Sequence, residues 1–440
     1  MAQTGQETFE KTPVSRTIFS NLELVTLAGE YGTPVYVINE SVLRSRVHTL
    51  REGYAGYRGP VKIAYSMKTN LTPAVLKTFI SENILFDITS VGELYFYLRC
   101  GGNPENVVYT SVTEGWEEYR EVLHSGVRLV VVGSANGLSN LMGVAEKDDF
   151  TPRVMIRVDP EVGVKAEVRA SRRHGRFGVP LSNNNGSPDG AAWVLRKILG
   201  QQRLRFEGFH FHLGSQISDP TCFLNGLEKL EHFIIKMRKE FPHLTASIID
   251  VGGGTPVDYG SRVPTPREIG SQVSTRLNAM AEVLRNDFTL VVESGRYLSA
   301  EACVLLSRVT NTKDFVDHRV VFTDLGYHLL LDAVLLRQEY PQYVIPESPS
   351  APNEKLVLAG RLCDSFDVYP ISPVSNLSGA HTGKLIAVHN VGAYSVVFNM
   401  PFHCQTKPAI VMKTLDGGFV CVRERQSIES LFQEEGGNLF

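Results

Sequence analysis

The feature that most limits what this chain can fold into is a rhythm. Eight short apolar, mostly β-branched runs recur at residues 61–65, 84–88, 107–109, 129–132, 154–158, 206–212, 248–251 and 290–293. Between them, stretches such as 73–80, 93–98 and 227–235 repeat apolar side chains at spacings of three and four, the mark of one helix face. Strands that alternate with helices run parallel, because each helix carries the chain back to the same end of the sheet. Eight such units predict a closed (β/α)8 barrel. An open doubly wound sheet is the competing arrangement. It opens with a phosphate-binding glycine loop after its first strand. Here the first run leads into Lys68, and the glycine cluster Gly252-Gly253-Gly254 follows the seventh.

The rest of the chain has another character. Residues 1–32 are polar and then helix-like, and 34–38 read as a strand. Beyond about 295, strand-like runs at 302–306, 319–322, 355–358, 384–388 and 410–412 alternate with turns rich in Gly, Pro and Asn. The α/β fold class is therefore a barrel over 41–290 and a mostly antiparallel β-barrel or sandwich domain made of 1–40 and 291–440. The polar stretch 182–190 predicts a mobile loop. A formal net charge of −3 gives no basic footprint for nucleic acid or an anionic membrane. No stretch approaches the roughly 18 apolar residues of a membrane span, and the N-terminus lacks the apolar core of a secretory signal. Six scattered cysteines without a C-x-x-C pair point to a reducing compartment, the cytoplasm.

In a barrel of this kind chemistry gathers at the carboxyl ends of the strands. The first run ends in Lys68. The second ends in Asp87 and Ser90, with Glu93 opening the next helix. The sixth delivers His210 and His212, then Gly214-Ser215-Gln216. The seventh delivers Asp250 and the three glycines, and the eighth Glu293, Gly295 and Arg296. A lysine at the mouth of a buried strand is costly to desolvate unless something there uses it. In a dry pocket its pKa falls, and the neutral amine attacks aldehydes. Pyridoxal phosphate is the aldehyde that accounts for the remaining groups. Gly252, Gly253 and Gly254 free backbone N–H groups for its phosphate, and Ser215 and Gly295 add hydrogen bonds. Glu293 keeps the pyridine nitrogen protonated, and His212 stacks on the ring. Each residue also has a plainer reading: a surface lysine past a strand, a tight glycine turn, a satisfied core histidine, and a glutamate paired with Arg296. A rival function is a TIM-barrel metal hydrolase. His210 and His212, two apart on a strand, would share one face as metal ligands. It lacks further histidines at the other strand ends and leaves Lys68 and the glycines idle.

Taken in order, seven motifs run through the chain. They are Tyr65-x-x-Lys68-x-Asn70, Asp87-x-x-Ser90-x-Gly92-Glu93-Leu94, His210-x-His212-x-Gly214-Ser215-Gln216, Gly252-Gly253-Gly254, Glu293-x-Gly295-Arg296, Cys363-Asp364-Ser365-x-Asp367 and Gly392-Ala393-Tyr394. The series resembles that of the fold-type III pyridoxal phosphate decarboxylases, most of all the diaminopimelate decarboxylases. Ornithine and arginine decarboxylases and alanine racemase are more distant. The likeness spans Lys68 to Asn399. It implies an alanine racemase-like barrel plus β domain, assembled as a head-to-tail homodimer with composite active sites. Lys68 would hold pyridoxal phosphate as a Schiff base, with His212 stacked on the ring and Asp87 beside it. Ser215, Gly252, Gly253, Gly254, Gly295 and Arg296 would surround the phosphate or the substrate carboxylate. Glu293 would bind the pyridine nitrogen, and Tyr394 would reach the phosphate. Cys363 and Asp364 would enter from the second subunit, Cys363 as the acid that reprotonates the substrate carbon. The implied reaction is decarboxylation, with meso-diaminopimelate to L-lysine and CO2 as the best match.

The departures concern the substrate. Ser294 stands where relatives have Pro, and Arg176-Phe177-Gly178 where many have Lys-Phe-Gly. Ser111-Val112-Thr113-Glu114 replaces a stretch with Asn and Lys, and Asp364 replaces Glu. Aligned on Asp324-Leu325-Gly326, an arginine that binds the substrate's far end falls on Asp332, and Arg337 is the candidate replacement. Exchanging cation for anion reverses what a pocket favours. The expected substrate-binding set is Arg296, Asp332, Arg337, Cys363, Asp364 and Tyr394. The alternative substrates are a basic amino acid such as lysine or ornithine, or an amino acid conjugated to a larger carrier. A racemase would need a second base facing Lys68.

Overall fold

The computed structural model describes residues 18–171, 175–182, 190–346 and 355–437. The expected loop at 182–190 lies, from 183 to 189, outside them. All eight runs are strands: Val61–Ser66, Leu85–Ile88, Val107–Tyr109, Leu129–Val132, Arg153–Asp159, Arg205–His210, Ile248–Asp250 and Thr289–Ser294. Each pairs in parallel with the next, and Leu290 opposite Val61 closes the ring. This is the (β/α)8 barrel. Its last strand runs past residue 290, to Ser294.

Alternation along the strands decides what fills the barrel. Ala64, Val108, Val131, Met155, Ile248 and Val291 form one apolar cluster. Two residues further along their strands, on the same face, come Ser66, Thr110, Arg157, Asp250 and Glu293. The apolar layer fills the barrel, and the charged layer above it forms the floor of an open end.

Helix starts are written locally. Thr265 and Glu268 form a capping box for Pro266–Leu284, with Pro266 in the first turn. The Asp-x-x-Ser-x-Gly-Glu-Leu motif has the same logic. Ser90 Oγ accepts from the Glu93 N–H at 3.1 Å, and Glu93 accepts from the Thr89 N–H at 2.7 Å. Ser90 and Glu93 thus cap the helix Val91–Arg99.

The second sheet has nine strands. Val35–Asn39 lies inside it, antiparallel to Cys303–Asp314 and parallel to Ala409–Lys413. Most other pairings are antiparallel, with Arg319–Thr323 and Leu356–Ala359 the parallel exception. Strands too short to read from sequence also form. Ala166–Arg169 and Gly214–Ile217 make a two-stranded antiparallel ribbon after the fifth and sixth barrel strands. Among the described residues no helix is long and apolar enough to cross a membrane, and all six cysteines are free thiols.

Candidate active site

The first strand hands its chain to a short 3-10 turn, Met67–Thr69, that presents Lys68. The flanking motif residues fix that turn. Tyr65 Oη donates to the Asn70 carbonyl at 2.7 Å, and Asn70 Nδ2 donates to the Gly392 carbonyl at 3.0 Å. The Tyr394 N–H donates to the Thr69 carbonyl at 3.0 Å. The Tyr-x-x-Lys-x-Asn motif therefore joins the barrel to the loop that carries Tyr394. Gly295 packs against the same turn: a Cβ there would lie 2.3 Å from Thr69 Cγ2.

Lys68, Asp87, His212, Ser215, Glu293, Arg296, Asp332 and Tyr394 line one cavity of about 520 Å³. The cavity opens above the charged floor. Gly252, Gly253, Gly254 and Gly295 do not line it. Arg337 lines a separate cavity of about 270 Å³, with Glu167 and Tyr259. Cys363 is exposed on the β domain and does not line the cavity of its own chain. Its backbone N–H donates to His403 Nδ1 at 3.3 Å. Tyr327 Oη donates to Asp364 at 2.9 Å, and Asp367 accepts from the N–H groups of Tyr327 and Leu362 at 2.8 Å each. The 362–367 loop is thereby braced from within its own domain.

Lys68 corrects one expectation. Burial alone would lower its pKa, but Asp87 at 3.4 Å, with Tyr394 and Glu293, outweighs desolvation and raises it. The amine rests as an ammonium. Asp87 is pushed up by burial and by the Glu293 charge, with Lys68 opposing. Burial would also raise Glu293, but its contact with His210 and the charge of Lys68 hold it below the usual carboxylate value. His212 is held neutral, its pKa lowered to about 3 by burial and by Lys68. The Gly253 N–H donates to His212 Nδ1 at 3.0 Å, so that nitrogen is the acceptor and the ring proton sits on Nε2.

The glycine loop is partly committed. The Gly252 N–H donates to Asp250 Oδ1 at 2.8 Å, and that of Gly253 goes to His212. Among the described residues the Gly254 N–H has no partner. Arg296 contacts Asp332 at 3.4 Å and Tyr259 Oη at 3.3 Å, and it lies 4.8 Å above the Tyr394 ring. Arg296 and Asp332 are each only 5% exposed. Removing either partner of such a pair costs about 3–5 kcal/mol, because the survivor is left buried and alone. The plainer reading that pairs Glu293 with Arg296 does not describe this site; Glu293 faces His210 Nε2 at 3.4 Å instead.

His210 also bears on the metal reading. It lies with Asp250 and Glu293, their ligand atoms within 4.8 Å of one another. His210 and Asp250 are 0% exposed and Glu293 2%. A hydrolytic metal needs an open position for water and substrate; of this trio only His210 and Glu293 reach the cavity, and Asp250 does not line it. His212, the other expected ligand, spends Nδ1 on Gly253.

A cofactor with a protonated ring nitrogen and a phosphate fits what is present. Glu293 Oε1, buried and 3.4 Å from His210 Nε2, has no well-formed hydrogen bond, which leaves this carboxylate room to accept from a further donor. Arg296 and Ser215, 3.4 Å apart, are the anion-binding groups that line the cavity with it.

Arg157 was not singled out from sequence. It lies two residues before the end of the fifth strand, lines the cavity and lies 4.8 Å from the Phe177 ring. The signal was there, a cation interrupting an apolar run near its carboxyl end. The ribbon residues Val168, Arg169 and Ala170 also line the cavity.

Residues 41–300 match the family model for the pyridoxal-dependent decarboxylase, pyridoxal binding domain. The chain is 28% identical over 427 residues to the diaminopimelate decarboxylase of Methanothermobacter thermautotrophicus, covering 94% of each chain. It is 29% identical over 417 residues to that of Vibrio cholerae, again covering 94% of each. Its fold matches the crystal structure of Helicobacter pylori diaminopimelate decarboxylase complexed with L-lysine, with a TM-score of 0.83 and 22% identity over 94% of this chain and 99% of that one.

Proposed function

This chain belongs to the pyridoxal-dependent decarboxylase family, and from that premise we propose that it decarboxylates meso-diaminopimelate to L-lysine and CO2. The observation that carries this reading is the cavity in which Lys68, His212, Glu293 and Arg296 meet. The relatives named diaminopimelate decarboxylase, matched along nearly their whole length, support the choice of substrate.

When bound, pyridoxal phosphate supplies an electron-accepting ring for the pair left behind by departing CO2. The chain's own residues do the rest. Lys68 would carry the aldehyde carbon on Nζ. Its resting ammonium must first lose a proton, and Asp87, 3.4 Å away with a raised pKa, is placed to receive it. Glu293, held ionised by its cationic neighbours, would keep a proton on the ring nitrogen. His212, neutral above about pH 3, would offer the ring a flat uncharged face. Arg296, Ser215 and the backbone at Gly254 would hold the phosphate, with Tyr394 beside them. Cys363, from a second copy of the chain, would return a proton to the α-carbon, with Asp364 next to it. This requires a homodimer with shared sites, the barrel of one copy facing the β domain of the other. We place the enzyme in the cytoplasm, with small amino acids as its only other partners.

A second reading is favoured by Asp332. An anion in the cavity wall suits a substrate whose far end is an amine, such as lysine or ornithine, or a conjugated amino acid. Steady-state CO2 release from meso-diaminopimelate, lysine and ornithine decides between them. The first reading expects kcat/KM for diaminopimelate to exceed the other two by at least about 100-fold. A preference for lysine or ornithine overturns it.

A further inference from the structure

We propose that Arg169 is the specificity-determining residue that receives the carboxylate at the end of the substrate remote from the reacting carbon. This rests on the decarboxylase reading above and names which group of this chain makes it selective.

Four cations line the cavity: Lys68, Arg157, Arg169 and Arg296. Two are paired with an anion. Lys68 faces Asp87 at 3.4 Å. Arg296 is locked against Asp332 and Tyr259. Arg157 lies on the barrel floor, 4.8 Å from the Phe177 ring and among the charges of Glu293, Asp87 and Glu114. Among the described residues the Arg169 guanidinium has no hydrogen-bond or ion-pair partner, and the residue is exposed at the cavity's edge. A substrate carboxylate arriving at the cavity's edge meets there a cation that no anion of the described residues occupies.

The backbone of Arg169 is held in place. Arg169 pairs with Gly214 and Val168 with Ser215 across the ribbon. The Ala170 N–H donates to the Leu213 carbonyl at 2.9 Å. Arg169 is thus tied to the segment that carries His212 and Ser215. Around it, Val112, Val168 and Leu335 line the same cavity with 63%, 40% and 66% of their surface exposed. Apolar neighbours weaken competition from water for a charged pair. An α-amino acid terminus would present its carboxylate to Arg169. A substrate ending in a bare amine would leave Arg169 unused.

The test uses wild-type, Arg169→Gln and Arg169→Lys holoenzyme. L-Lysine and cadaverine differ only by a carboxylate, and calorimetry measures the binding of each. Arg169→Gln is expected to weaken L-lysine about 10- to 100-fold, the range of one charge-assisted hydrogen bond, and to leave cadaverine within about twofold. Arg169→Lys is expected to recover part of the loss, since it restores a point charge without the planar fork. With meso-diaminopimelate the Gln variant is expected to raise KM and leave kcat nearly unchanged. Equal loss for both ligands, including loss through a weakened dimer, overturns the proposal. So does no loss for either, or a wild-type enzyme that binds L-lysine no better than cadaverine. A wild-type enzyme inactive on diaminopimelate but retaining the lysine–cadaverine difference would defeat the substrate reading and leave Arg169 supported.

Discussion

His212 shows how far a half-buried ring can be moved by its surroundings. Its folded pKa is lowered to about 3, first by burial and then by Lys68, against about 6.5 for an unfolded histidine. The folded protein therefore refuses a proton that the unfolded chain accepts between those values. Stability from this residue is intact above pH 6.5 and is lost as pH falls towards 3. In cofactor-free protein, His212→Gln removes the titration. Between pH 6 and 4.5 its denaturation free energy should fall less steeply with acid than that of the wild type, by up to about 1.4 kcal/mol per pH unit. Urea titrations across that range measure it; parallel curves would mean the folded ring is charged. His212, Lys68 and Glu293 were legible in the sequence because each breaks an apolar run at its carboxyl end. The charge state of Lys68 was not legible. It depends on Asp87, which belongs to another strand, and only the closed barrel brings the two to 3.4 Å. Arg169 was hidden because four ribbon residues carry too little periodicity to read as a strand.

At the scale of elements, the loop after the seventh strand links backbone conformation to the site. Gly252 has φ of 68°, and a Cβ there would lie 2.4 Å from the Phe211 carbonyl oxygen and 2.8 Å from His212 Cα. Those atoms are backbone and cannot step aside. A Cβ on Gly253 would meet the Glu293 carbonyl oxygen at 3.0 Å and His212 Cε1 at 3.3 Å, without a left-handed φ. Gly252→Ala is expected to destabilise the protein by about 2–4 kcal/mol and to displace His212, since strain adds to the collision. Gly253→Ala should cost less, roughly 1 kcal/mol, and act mainly through the His212 ring. Thermal unfolding with and without pyridoxal phosphate ranks them; equal effects would mean the loop yields as a unit. The sequence showed the cluster and its place after a strand. It did not show that two of the three N–H groups already serve Asp250 and His212, because those partners come from the strand before the loop and from a different strand end. The eight barrel strands were readable because each buries both faces and so runs continuously apolar. The strand Gln342–Ile345 and the ribbon were missed because short elements take their conformation from the sheet they join.

At the scale of the whole molecule, the β domain raises the question of reach. Cys363 is exposed and does not line the cavity of its own chain, yet its loop is braced by Asp364, Asp367, Tyr327 and His403. A loop held this firmly cannot swing across its own subunit to reach Lys68. If its thiol delivers a proton to substrate, it does so in a second copy, and a twofold arrangement lets each copy serve the other. Lys68→Ala and Cys363→Ala should each be nearly inactive as pure dimers. Mixed and allowed to exchange, half the dimers become hybrids. Each hybrid pairs the intact Lys68 of the Cys363 variant with the intact Cys363 of the Lys68 variant at one site. The other site carries both defects. The mixture should regain about a quarter of the wild-type sites, scored as CO2 release per subunit after exchange is verified with a tagged partner. Recovery near zero despite verified hybrids would place both residues in the same copy's site or remove Cys363 from the reaction. Activity in pure Cys363→Ala dimers comparable to wild type would separate these, because a thiol that supplies no proton is not missed.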